Sequence, residues 1–391
     1  MTPRASEIRI TRHNGGAPLI APNENGWESG VTFNAAVAHL PRTSQNGAII
    51  ERLLDAAGRP EAAQDLVAVL YRARPRSDPG YLMTRSYVGL ALFNTSLELI
   101  HRFPRPLLSP EAGKTDPDYL GVEDPRITRI GDRFVMVYCG CGEDRGTWRA
   151  TLCTAESPDL LQWNKTGPID LSYTGLAESG AFDQSYFDNL GSIRADNGHV
   201  NNKDGVLFPL QPDGWHYLLH RPMVGDISTW AIHLARSRSL AGPWQDLGPI
   251  MRAAPNPGWA DAWIGAGAVP LDLGGGRYLE IYHSGHRAAD GSSRLYTLGA
   301  AVFNLNRLDP ANPRAIVESR LDNFMVPQTP LEIDGPFPDS VGNVVFTCGA
   351  YERNGEIVIL YGGGDTFILA ASVGKAQLLE AMQPVSAAAP L

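Results

Sequence analysis

Five stretches of the chain repeat one arrangement of polar and apolar positions. Each opens on a turn residue, continues as a short apolar run and ends on Tyr or His. They are Asp65–Arg72, Asp132–Cys139, Gly214–Arg221, Gly276–His283 and Gly355–Gly362. The closing aromatics Tyr71, Tyr138, His220, Tyr282 and Tyr361 recur at intervals of 67, 82, 62 and 79 residues. The runs are rich in Val, Ile, Leu, Tyr and Phe and follow Asp or Gly, so they predict strands. A weaker echo follows: Ala155–Leu160 leads to Trp163, and Ala235–Leu240 leads to Trp244. Gly89–Phe93 and Gly299–Phe303 are the corresponding strands elsewhere. Each unit thus holds several short strands in roughly 60–80 residues, the size of a propeller blade with loop insertions. The repeat predicts an all-β, five-bladed β-propeller, whose central funnel is where residues of all five blades would meet. A β-sandwich or two unrelated β domains is the competing arrangement. The whole chain, 1–391, reads as one five-bladed propeller domain, with an N-terminal arm (1–27) and a C-terminal tail (376–391) at its periphery.

Little of the rest predicts helix. Asn46–Gly58 is either one helix or a strand running into a turn. Residues 167–202 lack periodicity and read as a long loop, and long loops in compact domains often carry function. The last five residues read as a frayed end.

Composition narrows the class. Lys and Arg number 33 against 42 Asp and Glu, a net charge of −9. That argues against nucleic-acid and anionic-membrane partners, whose binding relies on Lys and Arg. The 41 Gly and 30 Pro favour many turns over long helices. No apolar run is long enough to span a membrane, and Met1–Glu7 lacks a secretory h-region. Cys139, Cys141, Cys153 and Cys348 match neither a disulfide framework nor a zinc spacing, and Cys139 and Cys141 share a strand face. A cytoplasmic protein with reduced thiols is expected, and a homo-oligomer is left open. Gly274–Gly276 and Gly362–Gly364 have no helix signal after them, so they read as turns, and no nucleotide cofactor is expected. No metal-ligand cluster stands out among the nine His.

Candidate chemistry follows from the repeat. If the five runs are the innermost strands of their blades, the residues after the anchors converge on the axis: Arg72, Cys139, Arg221, His283 and Gly362. Three of the five are cationic or can become so, which suits an anion or a polyhydroxylated ligand. The competing role is structural pairing with neighbouring carboxylates. Gly121–Ile127 (Gly-Val-Glu-Asp-Pro-Arg-Ile) sets two acids side by side before an Arg. Pro125 biases Asp124 toward an extended bend, and adjacent acids tune each other's pKa.

At these residues the sequence resembles glycoside hydrolase family 130, the β-mannoside phosphorylases and β-mannosidases. The likeness runs from about Phe33 to Ser372. In chain order it comprises Phe33–Ala36, Leu70–Arg72, Arg85–Ala91, Gly121–Ile127, Lys203–Asp204 with Leu207–Pro209, and Leu219–Pro222. Ile264–Gly267, Tyr282–His283, Asn343–Phe346 with Cys348–Gly349, and Tyr361–Gly362 with Asp365 complete it. The resemblance implies a five-bladed propeller and an inverting, exo-acting cleavage of a β-mannoside. Asp124 matches the family's general acid. Asn34, Arg72, Arg85 and Asp365 match positions that hold the glycosyl unit. Lys203, Arg221 and His283 match positions that bind inorganic phosphate, the co-substrate of a phosphorylase. No other cofactor and no metal is implied, and the partner is a small oligosaccharide or glycoside.

The chemistry is coherent. An inverting hydrolase needs a second carboxylate roughly 6.5–9.5 Å from the acid to activate water. A phosphorylase replaces that base with an anionic nucleophile, which cations must hold and orient. The expected reaction is therefore phosphorolysis to α-mannose 1-phosphate. Hydrolysis on the same scaffold is the alternative, and a non-catalytic sugar-binding propeller comes third. Asp124 would need a raised pKa, from burial or from Glu123, to donate near neutral pH. The sequence departs from the family at three places. Trp263 stands where phosphorylases usually carry Lys, and it is a candidate to stack on a sugar. Lys203 stands where Arg is frequent, and Ser284 replaces the usual Gly. His286 or Arg287 is a candidate for the missing charge. Asp226, Asp261 and Glu280 are candidate bases, Glu280 the weakest because it should face away from His283.

Overall fold

The structure is a computed structural model that describes residues 8–60, 64–81, 83–144, 147–172, 200–209, 213–223, 227–337 and 340–386. Most of the 167–202 loop, Asp226 and the last five residues lie outside the described residues.

Five sheets, antiparallel but for the short parallel edge strand Leu171–Ser172 beside Trp244–Met251, follow one another along the chain. Blade I comprises Val31–Leu40, Leu66–Arg74, Tyr87–Phe93 and Leu99–Arg102. Blade II comprises Gly121–Ile130, Arg133–Asp144, Thr147–Ser157 and Asn164–Pro168. Blade III is built on Asn202–Leu207, His216–Pro222, Ile232–Ser237 and Trp244–Met251. Blade IV is built on Asp261–Gly265, Arg277–Arg287, Arg294–Asn304 and Val317–Met325, and blade V on Val345–Arg353, Glu356–Gly363 and Phe367–Gly374. This is the expected five-bladed propeller. Its cores lie between neighbouring sheets, one apolar cluster for each of the five blade-to-blade contacts.

The repeated runs hold equivalent places, but they are the second strands of their blades, not the innermost. The first strands face the axis, where those of blades I and II and of blades I and V meet. The physical reason lies in coverage. A second strand has neighbours on both edges and packed blades on both faces, so it reads as a continuous apolar run. All nine residues of Leu66–Arg74 are buried. The inner strands carry polar groups and irregular backbone, which hides their period.

Each repeat anchor has a structural task. The hydroxyls of Tyr71, Tyr138, Tyr282 and Tyr361 donate to Glu28 (2.7 Å), Asp118 (3.0 Å), Asp322 (2.7 Å) and Glu332 (2.7 Å). His220 replaces the tyrosine in blade III, with Nε2 3.4 Å from Asp246. A buried polar tip without such a partner would be costly.

Described segments of the N-terminal arm and the C-terminal tail add edge strands to blades. Ile10–Arg12 is the outer strand of blade V, with Ile10 opposite Val373 and Arg12 opposite Ala371. Gln383–Pro384 pairs with Val317–Met325 in blade IV, and the helix Lys375–Ala381 buries Leu378 and Ala381. Gly47–Ala56 is a helix, which resolves that segment's ambiguity. It buries Ile49, Ile50, Leu53 and Leu54 in the core between blades I and II. Among the described residues, no helix is long and apolar enough to cross a membrane. The four cysteines are free and buried.

Candidate active site

The inner strands of blades I, II, III and V each carry a one-residue bulge opposite the repeat anchor of the next strand. The register slips between Phe33 and Ala35, Glu123 and Arg126, Lys203 and Val206, and Thr347 and Gly349. In the first three the backbone turns left-handed at Asn34 (φ 48°), Asp124 (φ 49°) and Asp204 (φ 57°). Asn and Asp tolerate that region better than other side chains do, and a bulge re-aims the side chain it carries. Here it turns all three toward the axis.

They line one pocket of about 160 Å³ with Arg72, Lys203, Arg221, His283 and Asp365, and with Phe33, Tyr296, Val344 and Phe346. Of the eight positions that the resemblance matched to the general acid, the glycosyl unit or phosphate, seven therefore meet, Asp124 among them. Arg85 is the eighth and is not among the lining residues. It pairs with Asp78 at 2.8 Å and lies over the Tyr81 ring. Trp263 is also outside the lining. It is 2% exposed and packs edge-on to Tyr296. A Cβ on Gly285 would fall 2.1 Å from its ring, so glycine makes room for the indole. Burial on this scale is incompatible with an open sugar platform. Cys139 and Gly362 occupy positions equivalent to Arg72 and do not line the pocket.

Asp124 is fixed from two sides. Asn34 Nδ2 donates to its Oδ1 at 2.8 Å, and Arg72 Nη1 donates to the same oxygen at 3.0 Å. Arg72 Nη2 binds Glu123, and its Nε donates to Ser86 Oγ at 2.9 Å. Lys203 Nζ donates to the other oxygen of Glu123 at 2.9 Å. Burial would push the Glu123 carboxyl up, but Arg72 and Lys203 outweigh it and hold it at about 2. Glu123 is thus an ionised brace beneath the acid.

On the opposite wall Arg221 Nε donates to Asp204 Oδ2 at 2.7 Å, and His283 Nε2 lies 3.4 Å from the same oxygen. Arg221 Nη1 is buried with no hydrogen-bond partner among the described residues. Burial pushes the His283 pKa down against the opposing pull of Asp204. Asp365 is pushed up to about 6 by burial, with Arg72 opposing and the nearby Asp124 charge adding. Arg126 lies among three blades, donating to the Asp124 carbonyl (3.0 Å), Asp204 Oδ1 (3.3 Å) and the Ala266 carbonyl (3.1 Å).

Of the candidate bases, Asp261 and Glu280 are not among the residues that line the pocket. Asp261 pairs with Arg287. Glu280 is buried and accepts from the Gly267 amide at 2.8 Å, and burial holds its pKa well above the usual range. His286 is buried and, with Arg287, is outside the pocket lining.

Among the described residues, two groups of side chains have metal-ligand spacing: Glu123 with Cys139 and Cys141, and His220 with His233 and Asp246. Both are already bonded internally. Asp246 accepts the Gly248 amide at 2.8 Å and lies 3.1 Å from His233 Nδ1.

The sequence did not mark Asp204, Tyr296 or Phe346 as site residues. Asp204 adjoins Lys203 and was in a quoted motif, but nothing in its neighbours signals the bulge that turns it inward.

The pocket combines a firmly held carboxyl group, hydroxyl-binding groups and a cationic wall. Such a set can place a proton on one side of a bound sugar and an anion on the other. A family model described as beta-1,4-mannooligosaccharide phosphorylase matches residues 102–384. The chain is 28% identical over 364 residues to a 1,2-beta-oligomannan phosphorylase of Thermoanaerobacter sp., covering 92% of this chain and 96% of that one. It is 25% identical over 404 residues to a beta-1,2-mannobiose phosphorylase of Listeria innocua, covering 94% and 96%. The solved complex of the Listeria innocua beta-1,2-mannobiose phosphorylase with beta-1,2-mannobiose superposes with a TM-score of 0.65 at 21% identity, covering 96% of this chain and 99% of that one. With the family model spanning most of its length and the propeller in place, the chain belongs to glycoside hydrolase family 130.

Proposed function

We propose that the protein is an inverting, exo-acting glycoside phosphorylase that cleaves a β-mannoside with inorganic phosphate to give α-mannose 1-phosphate. The observation that carries this reading is the shared pocket: Asp124 lines it together with Lys203, Arg221 and His283. Two named relatives are phosphorylases of 1,2-linked mannosides, so β-1,2-mannobiose is the first substrate to test.

Asn34, Arg72 and Asp365 hold the terminal mannosyl unit, with hydroxyls bridging their donors and acceptors. Asp124 is the proton donor of this reading. A phosphate oxygen attacks C1 from the face opposite the leaving oxygen. The C1–O bond to the aglycone breaks as the C1–O–P bond forms, and the leaving oxygen takes the Asp124 proton. Configuration at C1 inverts from β to α. Arg221 Nη1 is a donor with no partner among the described residues, suited to a phosphate oxygen, and Lys203 and His283 complete the anion's surroundings. Arg85 and Trp263 take no part in this reading.

Hydrolysis is the second reading, because Asp204 and Asp365 put further acids in the same pocket. Asp204 is engaged by Arg221 and Arg126, which disfavours it as a base. The test incubates the protein with β-1,2- and β-1,4-mannobiose, with and without phosphate, and follows products by NMR. Phosphate-dependent α-mannose 1-phosphate is expected. Free mannose formed from both sugar units in phosphate-free buffer would overturn phosphorolysis.

A further inference from the structure

Three acids line the pocket among the described residues, and the reaction as proposed gives no part to Asp204. Its construction is nonetheless elaborate. It is 2% exposed and sits at a left-handed bulge, the same inner-strand device that aims Asn34 and Asp124. Groups from three blades converge on it. Arg221 of blade III gives its Nε to Oδ2 at 2.7 Å, Arg126 of blade II gives Nη2 to Oδ1 at 3.3 Å, and His283 of blade IV places Nε2 3.4 Å from Oδ2.

Blade IV yields space for this meeting. A Cβ on Gly265 would stand 2.1 Å from Asp204 Oδ2 and 2.5 Å from His283 Nε2. Any larger residue would part the carboxylate from the imidazole. Burial works against the Asp204 charge, but Arg221 and His283 outweigh it and hold the carboxyl well below its usual range.

A guanidinium is planar, so fixing Nε to one acceptor fixes the direction of both Nη groups. Arg221 Nη1 is buried without a partner among the described residues, in the same pocket. We propose that Asp204 is a positioning residue of the anion site: it fixes Arg221 through Nε, so that Nη1 is presented to phosphate, and it holds the His283 imidazole beside that guanidinium. This rests on the phosphorylase reading above. Asp204 touches neither sugar nor phosphate in this arrangement; it acts through the two residues it holds. Removing its charge frees the guanidinium to rotate and leaves Arg126 short of one acceptor.

The test compares wild-type protein with Asp204→Asn, an isosteric change that removes the charge. Phosphate binding is measured by calorimetry, and KM for phosphate and for β-mannobiose by steady-state kinetics. Expected is a rise of about tenfold or more in the phosphate Kd and KM, the size of a lost charge-assisted hydrogen bond, with the mannobiose KM within about twofold. A phosphate Kd and KM within about twofold of wild type would overturn the proposal, whatever the change in melting temperature. If Asp204→Asn does not fold, Gly265→Ala is read in the same way, since its methyl separates the carboxylate from His283. Wild-type protein that binds phosphate while the variant binds it equally sinks the Asp204 role and leaves the phosphorylase reading standing. Wild-type protein that binds no phosphate and turns over without it sinks both.

Discussion

Arg72 Nη1 lies 3.0 Å from Asp124 Oδ1 while Nη2 of the same guanidinium binds Glu123, so one fork holds two consecutive carboxylates. Neighbours in a regular strand point to opposite faces. The bulge at Asp124 removes that alternation and lets Arg72 reach both. Lysine keeps the charge of arginine but cannot span two acceptors in a fixed plane. Arg72→Lys is expected to lower turnover about 100-fold by letting the acid drift, while the protein stays folded. Initial rates together with a circular dichroism spectrum check this, and near-wild-type turnover would show that Asp124 needs no second anchor.

Glu123 and Asp365 are perturbed in opposite directions, and stability should reveal both. Glu123 titrates near 2 when folded, below its ordinary value, so its ionised form favours the folded state above pH 4.5, and that gain is lost as pH falls toward 2. Glu123→Gln is therefore expected to destabilise the protein by about 2–3 kcal/mol at pH 7, with the deficit closing in acid. Asp365 titrates near 6 when folded, above its ordinary value, so the folded state binds its proton more tightly. Its ionisation costs stability as pH rises from about 4 to 6. Asp365→Asn should gain on the order of 1–3 kcal/mol at pH 7 and nothing near pH 3, while weakening mannoside binding. Urea denaturation from pH 3 to 8 measures both slopes. Parallel pH profiles for the two variants would contradict the assignment.

The propeller was legible because its repeat lies in the second strands, where burial on both faces enforces apolar runs. The same fact misplaced the axis by one strand. Arg72, Arg221 and His283 nevertheless reach the pocket, since they sit beside bulged or broken stretches of the inner strands. The bulges at Asn34, Asp124 and Asp204 were not legible. Each depends on the register between two strands, and a run such as Asn-Lys-Asp-Gly carries no periodic signal of it. Trp263 was marked because it stands where phosphorylases usually carry Lys, and nothing in its neighbours signals that Gly285 makes room for its ring inside the wall. Arg85 matched a motif, but the acceptor that captures it, Asp78, lies in a loop seven residues away.

Trp263 gives a direct test of packing against recognition. Its indole is 2% exposed, wedged over Gly285 and edge-on to Tyr296, which itself lines the pocket. Trp263→Ala is expected to cost about 3–5 kcal/mol through the cavity it leaves. The mannobiose KM at low temperature, where the variant is folded, should stay within about threefold, because the ring supports the wall without touching sugar. A large rise in KM with little loss of stability would restore the ring to the sugar site.

The closure of blade V ties the N-terminal segment to catalysis. Arg12 donates Nε and Nη2 to Glu332 at 2.7 and 3.0 Å, and the same carboxylate accepts the Tyr361 hydroxyl at 2.7 Å. Tyr361 is the blade V anchor, and Asp365 lies in the turn that follows its strand. Arg12→Ala strips the cation from a buried carboxylate and is expected to destabilise the protein by about 3–5 kcal/mol. Deleting residues 1–13 also removes the strand Ile10–Arg12, exposing the edge of Phe367–Gly374, so its cost should exceed that of Arg12→Ala. Both changes should raise the mannobiose KM by loosening Asp365, while the phosphate KM, set by blades III and IV, stays constant. Denaturation midpoints and the two KM values decide it. A deletion no more costly than Arg12→Ala would mean that the ion pair, not strand addition, closes the last blade.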